Sequence, residues 1–191
     1  KPTFDHLYAG NGFLDNTYFN RLAWHFGVNP KSAIYKAIPY GNLLVVDDTS
    51  VFGYGLRPTH TYNSLARNDR IFGSTRRTRT VGKERTEAFK PDWEIDSPIV
   101  AFAMAKTQNA LVVVGTDNNL KEGHPTPTNI DLARRQSLRE EALRTLEHFE
   151  GKHGSRLLVL NPENGAVQQD LRLPSIPVWD GLAAANGRLY V

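Results

Sequence analysis

Asn186-Gly187 stands between two runs rich in apolar residues, 181–185 and 188–191. Both residues tolerate positive φ, which a two-residue turn needs if its twist is to match that of the flanking strands, so the pair predicts a β-hairpin. The same alternation recurs upstream. Asn42 to Val46 is a short run that is apolar after its first residue, Asp47-Asp48 is a turn signal, and a second run continues from Ser50 to Tyr54. Ile99 to Met104 and Ala110 to Thr116 flank a polar loop from Lys106 to Asn109. Arg156 to Leu160 and Ala166 to Leu173 flank the turn Asn161-Pro162-Glu163-Asn164-Gly165, and a further strand is predicted over Arg70 to Gly73. Short strands separated by turn residues point to an all-β sandwich, barrel or propeller.

Two stretches break this pattern. From His6 to Phe26 the chain is aromatic and interrupted by Gly10 and Gly12, which predicts irregular packing segments. Ser137 with Glu140 three residues on reads as a capping box. Leu138, Ala142, Leu146 and Phe149 then fall on one helical face, and Gly151 stands at the stop position. An amphipathic helix is therefore expected within an insertion over 129–151, lying between groups of strands.

Composition narrows the function classes. The 191 residues can bury a sizeable core, and no apolar run is long enough to span a bilayer. A net charge of +3 over this length produces no field that would dictate a nucleic-acid partner. Zero cysteines exclude disulfides, thiolate metal sites and a cysteine nucleophile. The first residues lack a charged start followed by an apolar stretch, so any signal peptide is expected to lie upstream or to have been removed.

The segment Leu157-Leu158-Val159-Leu160-Asn161-Pro162-Glu163-Asn164-Gly165-Ala166-Val167 resembles a blade repeat of pyrroloquinoline-quinone (PQQ) proteins. Asn161 stands where that repeat has Asp and Asn164-Gly165 where it has Thr-Gly, residue types that bond turn amides and supply positive φ. Gln169 occupies the place of a tryptophan that packs between neighbouring blades. Val178 to Val191, including Asn186-Gly187, resembles the start of the next blade in large secreted propeller proteins of planctomycete-like bacteria, and Gly12 to Asp15 and Val45 to Gly53 are similar to upstream segments of the same proteins. The resemblance implies an all-β fold: a partial β-propeller of PQQ-like blades with one inserted amphipathic helix, located extracytoplasmically, periplasmic or secreted. At about 40 to 45 residues per blade there is room for about three blades, fewer than the four a closed ring needs. Residues 1–191 are thus expected to form a single incomplete propeller, completed by the remainder of a parent propeller or by another protein chain.

Its function is expected to be that of a non-catalytic scaffold or binding platform. One alternative is a quinoprotein-type dehydrogenase using PQQ and calcium; a second is an assembly subunit that docks partners by strand addition. No cofactor and no metal are predicted under the first reading. Arg67, Arg70, Arg76, Arg77, Arg79, Lys83 and Arg85 form a basic stretch that could grip an acidic polysaccharide or an acidic partner surface, or simply lie in a solvated loop. Asp47-Asp48 and Asp117-Asn118-Asn119 lack the spacing of a calcium loop and are read as turn formers. The six histidines lack the spacing of a helical zinc site. Tyr18, Phe19, Trp24 and Phe26 are read as packing aromatics. No Gly-x-Ser-x-Gly elbow and no phosphate-binding glycine loop occurs.

Overall fold

The computed structural model describes residues 6–9, 24–27, 38–56, 69–76, 89–118 and 132–191. Among them the chain is all-β with one helix. The order is β1 (Leu7–Ala9), β2 (Trp24–Phe26), β3 (Tyr40–Gly41), β4 (Leu43–Val46), β5 (Ser50–Leu56), β6 (Asp69–Thr75), β7 (Trp93–Asp96), β8 (Ile99–Lys106), β9 (Leu111–Asp117), α1 (Leu132–Phe149), β10 (Ser155–Leu160), β11 (Val167–Leu173), β12 (Ala183–Ala185) and β13 (Arg188–Tyr190). These strands make four antiparallel sheets: β1-β2-β3, β4-β5-β6-β7, β8-β9-β10-β11 and β12-β13. In each, spatial order follows chain order, as expected when short turns join neighbouring strands.

Two compact units result, one drawn from Lys1–Pro58, Arg70–Ile95 and Glu163–Gly165, the other from Thr59–Asp69, Asp96–Pro162 and Ala166–Val191. The first is centred on aromatic packing. Val51, Phe52, Tyr54, Ile71, Phe72 and Phe89 are buried. Phe72 meets Phe89 edge-on at 5.6 Å between ring centroids, and Phe52 lies 6.2 Å from Trp93. Gly53 and Gly73 make room for this: a side chain at Gly53 would overlap the Phe72 ring, and one at Gly73 the Trp93 indole. Gly165 likewise lies against Trp93 and adopts φ +74, so both space and backbone demand glycine there. The β4–β5 turn forms as its residues predict. One Asp47 carboxylate oxygen accepts the Thr49 and Ser50 amides at 2.8 and 2.7 Å and the Thr49 hydroxyl at 3.1 Å.

The second unit is built on β8 to β11. One face of that sheet carries Ala103, Val112, Val114 and Leu157, with Val159, Leu173 and Leu182 packed against them. The opposite face buries Leu111, Val113, Leu158 and Leu160 completely. Burial of the two central strands, β9 and β10, on both faces explains why 111–114 and 157–160 read as continuous apolar runs instead of alternating ones. Asn186 and Gly187 have φ of +51 and +70, the primed-turn pattern their sequence demands, and join β12 to β13.

Several expectations need correction. The aromatic stretch from His6 to Phe26 contains strands β1 and β2, paired through Leu7↔Phe26 and Ala9↔Trp24. Strand β7 lacked the apolar density that marks the others; it alternates between half-buried and exposed positions. The helix starts at Leu132, so Ser137 is interior, and its hydroxyl donates to Glu141 Oε1 at 3.1 Å instead of capping. Gly151 does end it: Lys152 N–H donates to Glu147 O and Gly151 N–H to His148 O, both at 3.1 Å, with Gly151 at φ +79. This is a Schellman closure. Finally, α1 joins β9 to β10, which pair directly, so the helix interrupts one sheet instead of lying between separate groups of strands.

Candidate functional site

Of the basic stretch, Arg67, Arg77, Arg79, Lys83 and Arg85 lie outside the described residues. Arg70 is buried on β6, ion-paired with Glu94 and set 4.8 Å over the Phe72 ring. Arg76 is half-buried; it donates to Asp47 O at 3.3 Å and lies 5.3 Å over the Phe26 ring. Both guanidiniums therefore serve packing inside the first unit. Among the aromatics, Tyr18 and Phe19 lie outside the described residues, Phe26 is buried and Trp24 is exposed.

The repeat residues have turn roles. Asn161 N–H donates to Ala166 O at 2.8 Å, closing the β10–β11 turn that also contains Asn164 and Gly165. Asn186 and Gly187 form the β12–β13 turn.

The densest charge cluster was not foreseen. Arg156 lies opposite Gly115 on β9 and Arg172 on β11, which puts it on one sheet face with Asp117 and Asp170. Its guanidinium donates from Nε to Asp170 Oδ1 at 3.0 Å, from Nη2 to Asp170 Oδ2, and from Nη1 to Asp117 Oδ1 at 3.2 Å and Pro98 O at 3.4 Å. Arg172 Nη1 donates to Asp117 Oδ2 at 2.7 Å. Burial pushes the Asp117 carboxyl up, but the hydrogen bonds and charges of Arg172 and Arg156 together hold it below the usual carboxylate range. Asp170 is lowered chiefly by its hydrogen bond from Arg156. The alternation 170/172 on β11 was a legible signal for two charges on one face. Their partners 14 to 55 residues away were not.

A second cluster surrounds the end of α1. Phe102, the bulge residue of β8, meets Phe149 at 6.0 Å and Trp179 at 6.2 Å, both edge-on. The Schellman turn brings the rings of His148 and His153 to 4.5 Å, with His153 Nε2 3.4 Å from Glu147 Oε2. Five residues apart, the histidines carry no helical pairing signal; the reversal at Gly151 unites them. Lys152 is held above its usual pKa by the Glu150 carboxylate at 3.0 Å. Of the other histidines, His25 bonds Gly27 O at 3.0 Å, His6 is exposed, and His60 and His124 lie outside the described residues.

Among the described residues no group of three or more histidine, aspartate or glutamate side chains is placed to hold a metal, and no helix is long and apolar enough to cross a membrane. Neither cluster sets a nucleophile against a base. Each can neutralise, orient or contact, and exposed members such as Trp179, Asp170 and Arg172 are open to a partner. No family model matches the chain, and no curated protein or solved structure matches it.

Proposed function

We propose that the chain is a non-catalytic module of β-propeller type, extracytoplasmic, that serves as a scaffold or binding platform. The observation that carries this reading is the placement of Trp93. It lies on the last strand of a four-stranded sheet built in strict chain order, and its indole packs on Gly165, the motif glycine of the Asn161-to-Gly165 turn. The repeat that 157–167 resembles has a tryptophan that packs between neighbouring blades, and Trp93 against the motif glycine supports that reading, as does the same up-and-down order in the second four-stranded sheet. The clusters add polar and aromatic surface without a catalytic pairing, which suits binding.

The reading is tested by incubating the protein with PQQ and calcium, then measuring bound quinone by absorbance, bound metal, and dye reduction with alcohols and sugars. The expected result is no stoichiometric quinone and no substrate-dependent reduction. Stoichiometric quinone with calcium and turnover would replace this reading with that of a quinoprotein dehydrogenase.

A further inference from the structure

The two edges of the β8-β9-β10-β11 sheet are treated differently. At β8 the edge is guarded: a bulge falls at Phe102, whose carbonyl accepts the Asp180 amide at 2.9 Å, and the Trp179 ring packs on the Phe102 side chain. At β11 a bulge falls at Gln168, but from Gln169 to Leu173 the strand keeps regular register with β10 and no strand pairs with its outer side among the described residues. The strand is seven residues long, pairs on one side only, and is exposed along its length save for Leu173. It contains neither proline nor lysine, and its exposed apolar side chains include Val167 and Leu171, 49% and 48% exposed. An edge of this length left uncovered is a template for pairing with another strand.

The charges on β11 carry the argument further. Asp170 and Arg172 flank Leu171 and point to one face, while Leu171 lies on the other, beside the partly buried Leu173. If a second copy of β11 is laid antiparallel with Leu171 opposite Leu171, each Asp170 faces the second copy's Arg172. Both charge pairs are then attractive and the two leucines meet on the apolar face. Sliding the register by two residues, the next shift that keeps Leu171 on the apolar face, would set Asp170 against Asp170 or Arg172 against Arg172. Both side chains retain room for this contact, being 42% and 64% exposed despite their bonds to Arg156 and Asp117.

We infer that β11 is a self-complementary edge on which two copies of this chain pair antiparallel about Leu171, joining two four-stranded sheets into one of eight. The contact is isologous, so it closes at a dimer. It stands independently of the propeller reading.

The test is a charge swap on the whole chain. Sedimentation velocity over a concentration series should show a monomer–dimer equilibrium. Asp170→Arg leaves two cations flanking Leu171, and Arg172→Asp leaves two anions; each variant alone should dimerise at least about tenfold more weakly, since like charges now face each other across the strands. Mixed together, the two variants should form a 1:1 heterodimer. Because Asp170→Arg also removes a partner of Arg156, hydrogen exchange on the unsubstituted chain gives a reading free of folding effects: amides in 167–173 should become more protected as concentration rises. A monomer up to about 1 mM, a dimer indifferent to both substitutions, variants that fold but do not recombine, or unchanged exchange over 167–173 would each overturn the inference.

Discussion

Loss of Arg156 should unlink two carboxylates of the second unit at once. Its side chain is 17% exposed, and its guanidinium serves two carboxylates and a carbonyl, holding β9 and β11 to β10. Arg156→Met keeps the apolar stem and removes the charge. Asp117 then retains Arg172, while Asp170 loses its bidentate partner. An exposed ion pair contributes less than about 1 kcal/mol, whereas stranding a buried charge costs about 3 to 5 kcal/mol. With Asp117 19% exposed but Asp170 42% exposed, solvent screens half the network and the expected loss is about 2 kcal/mol. Arg172→Met, on a side chain 64% exposed, should cost under about 1 kcal/mol.

The pH dependence separates charge from packing. Both aspartates are held below their ordinary value, so their contribution is complete above the unfolded carboxylate value of about 3.9 and disappears as pH falls through the lower folded values. The Arg156→Met penalty should therefore be constant from neutral pH to about pH 4 and shrink below it. Urea unfolding read at the β9 and β10 peptides by hydrogen-exchange mass spectrometry measures the penalty locally, so the two units need not unfold together. A penalty of the same size at about pH 7 and about pH 2.5 would refute the electrostatic reasoning.

Other substitutions separate further terms. Gly165→Ala must accept φ +74 and intrude on the Trp93 ring, and should cost about 2 to 4 kcal/mol, whereas Gly187→Ala meets no atom within 4 Å at φ +70 and should cost only about 1 to 2 kcal/mol; thermal denaturation of the pair isolates the packing term. Leu158→Ala, at a fully buried position, should cost about 2 to 5 kcal/mol by urea titration, while Leu143→Ala, 52% exposed, should stay within about 0.5 kcal/mol. Ser137→Ala should be neutral or slightly stabilising, because Ser137 is inside the helix; a loss near 1 kcal/mol by thermal denaturation would restore it as a cap.

Local chemistry determined much of this protein by itself. Asp47, Asn186, Gly187 and the Gly151 stop act through backbone conformations within a few residues, so the turns and the helix end were legible from residue type alone. The apolar runs at 111–114 and 157–160 announced buried strands because a strand covered on both faces has no polar side to alternate with. Only the tertiary structure decided the rest. Ser137 and Glu140 match a capping box, yet the helix extends five residues further upstream, since a local motif cannot outweigh the helical turn preceding it. Trp93 gained its meaning from Gly73 and Gly165, which are far along the chain and give it space. Arg156 gained its meaning when strand register brought Asp117 and Asp170 within reach, and His148 met His153 only because the chain reverses at Gly151. Turns and strands follow from neighbours in sequence, whereas the charge network, the aromatic stacks and the guarded and open edges follow from register, which a single strand does not specify.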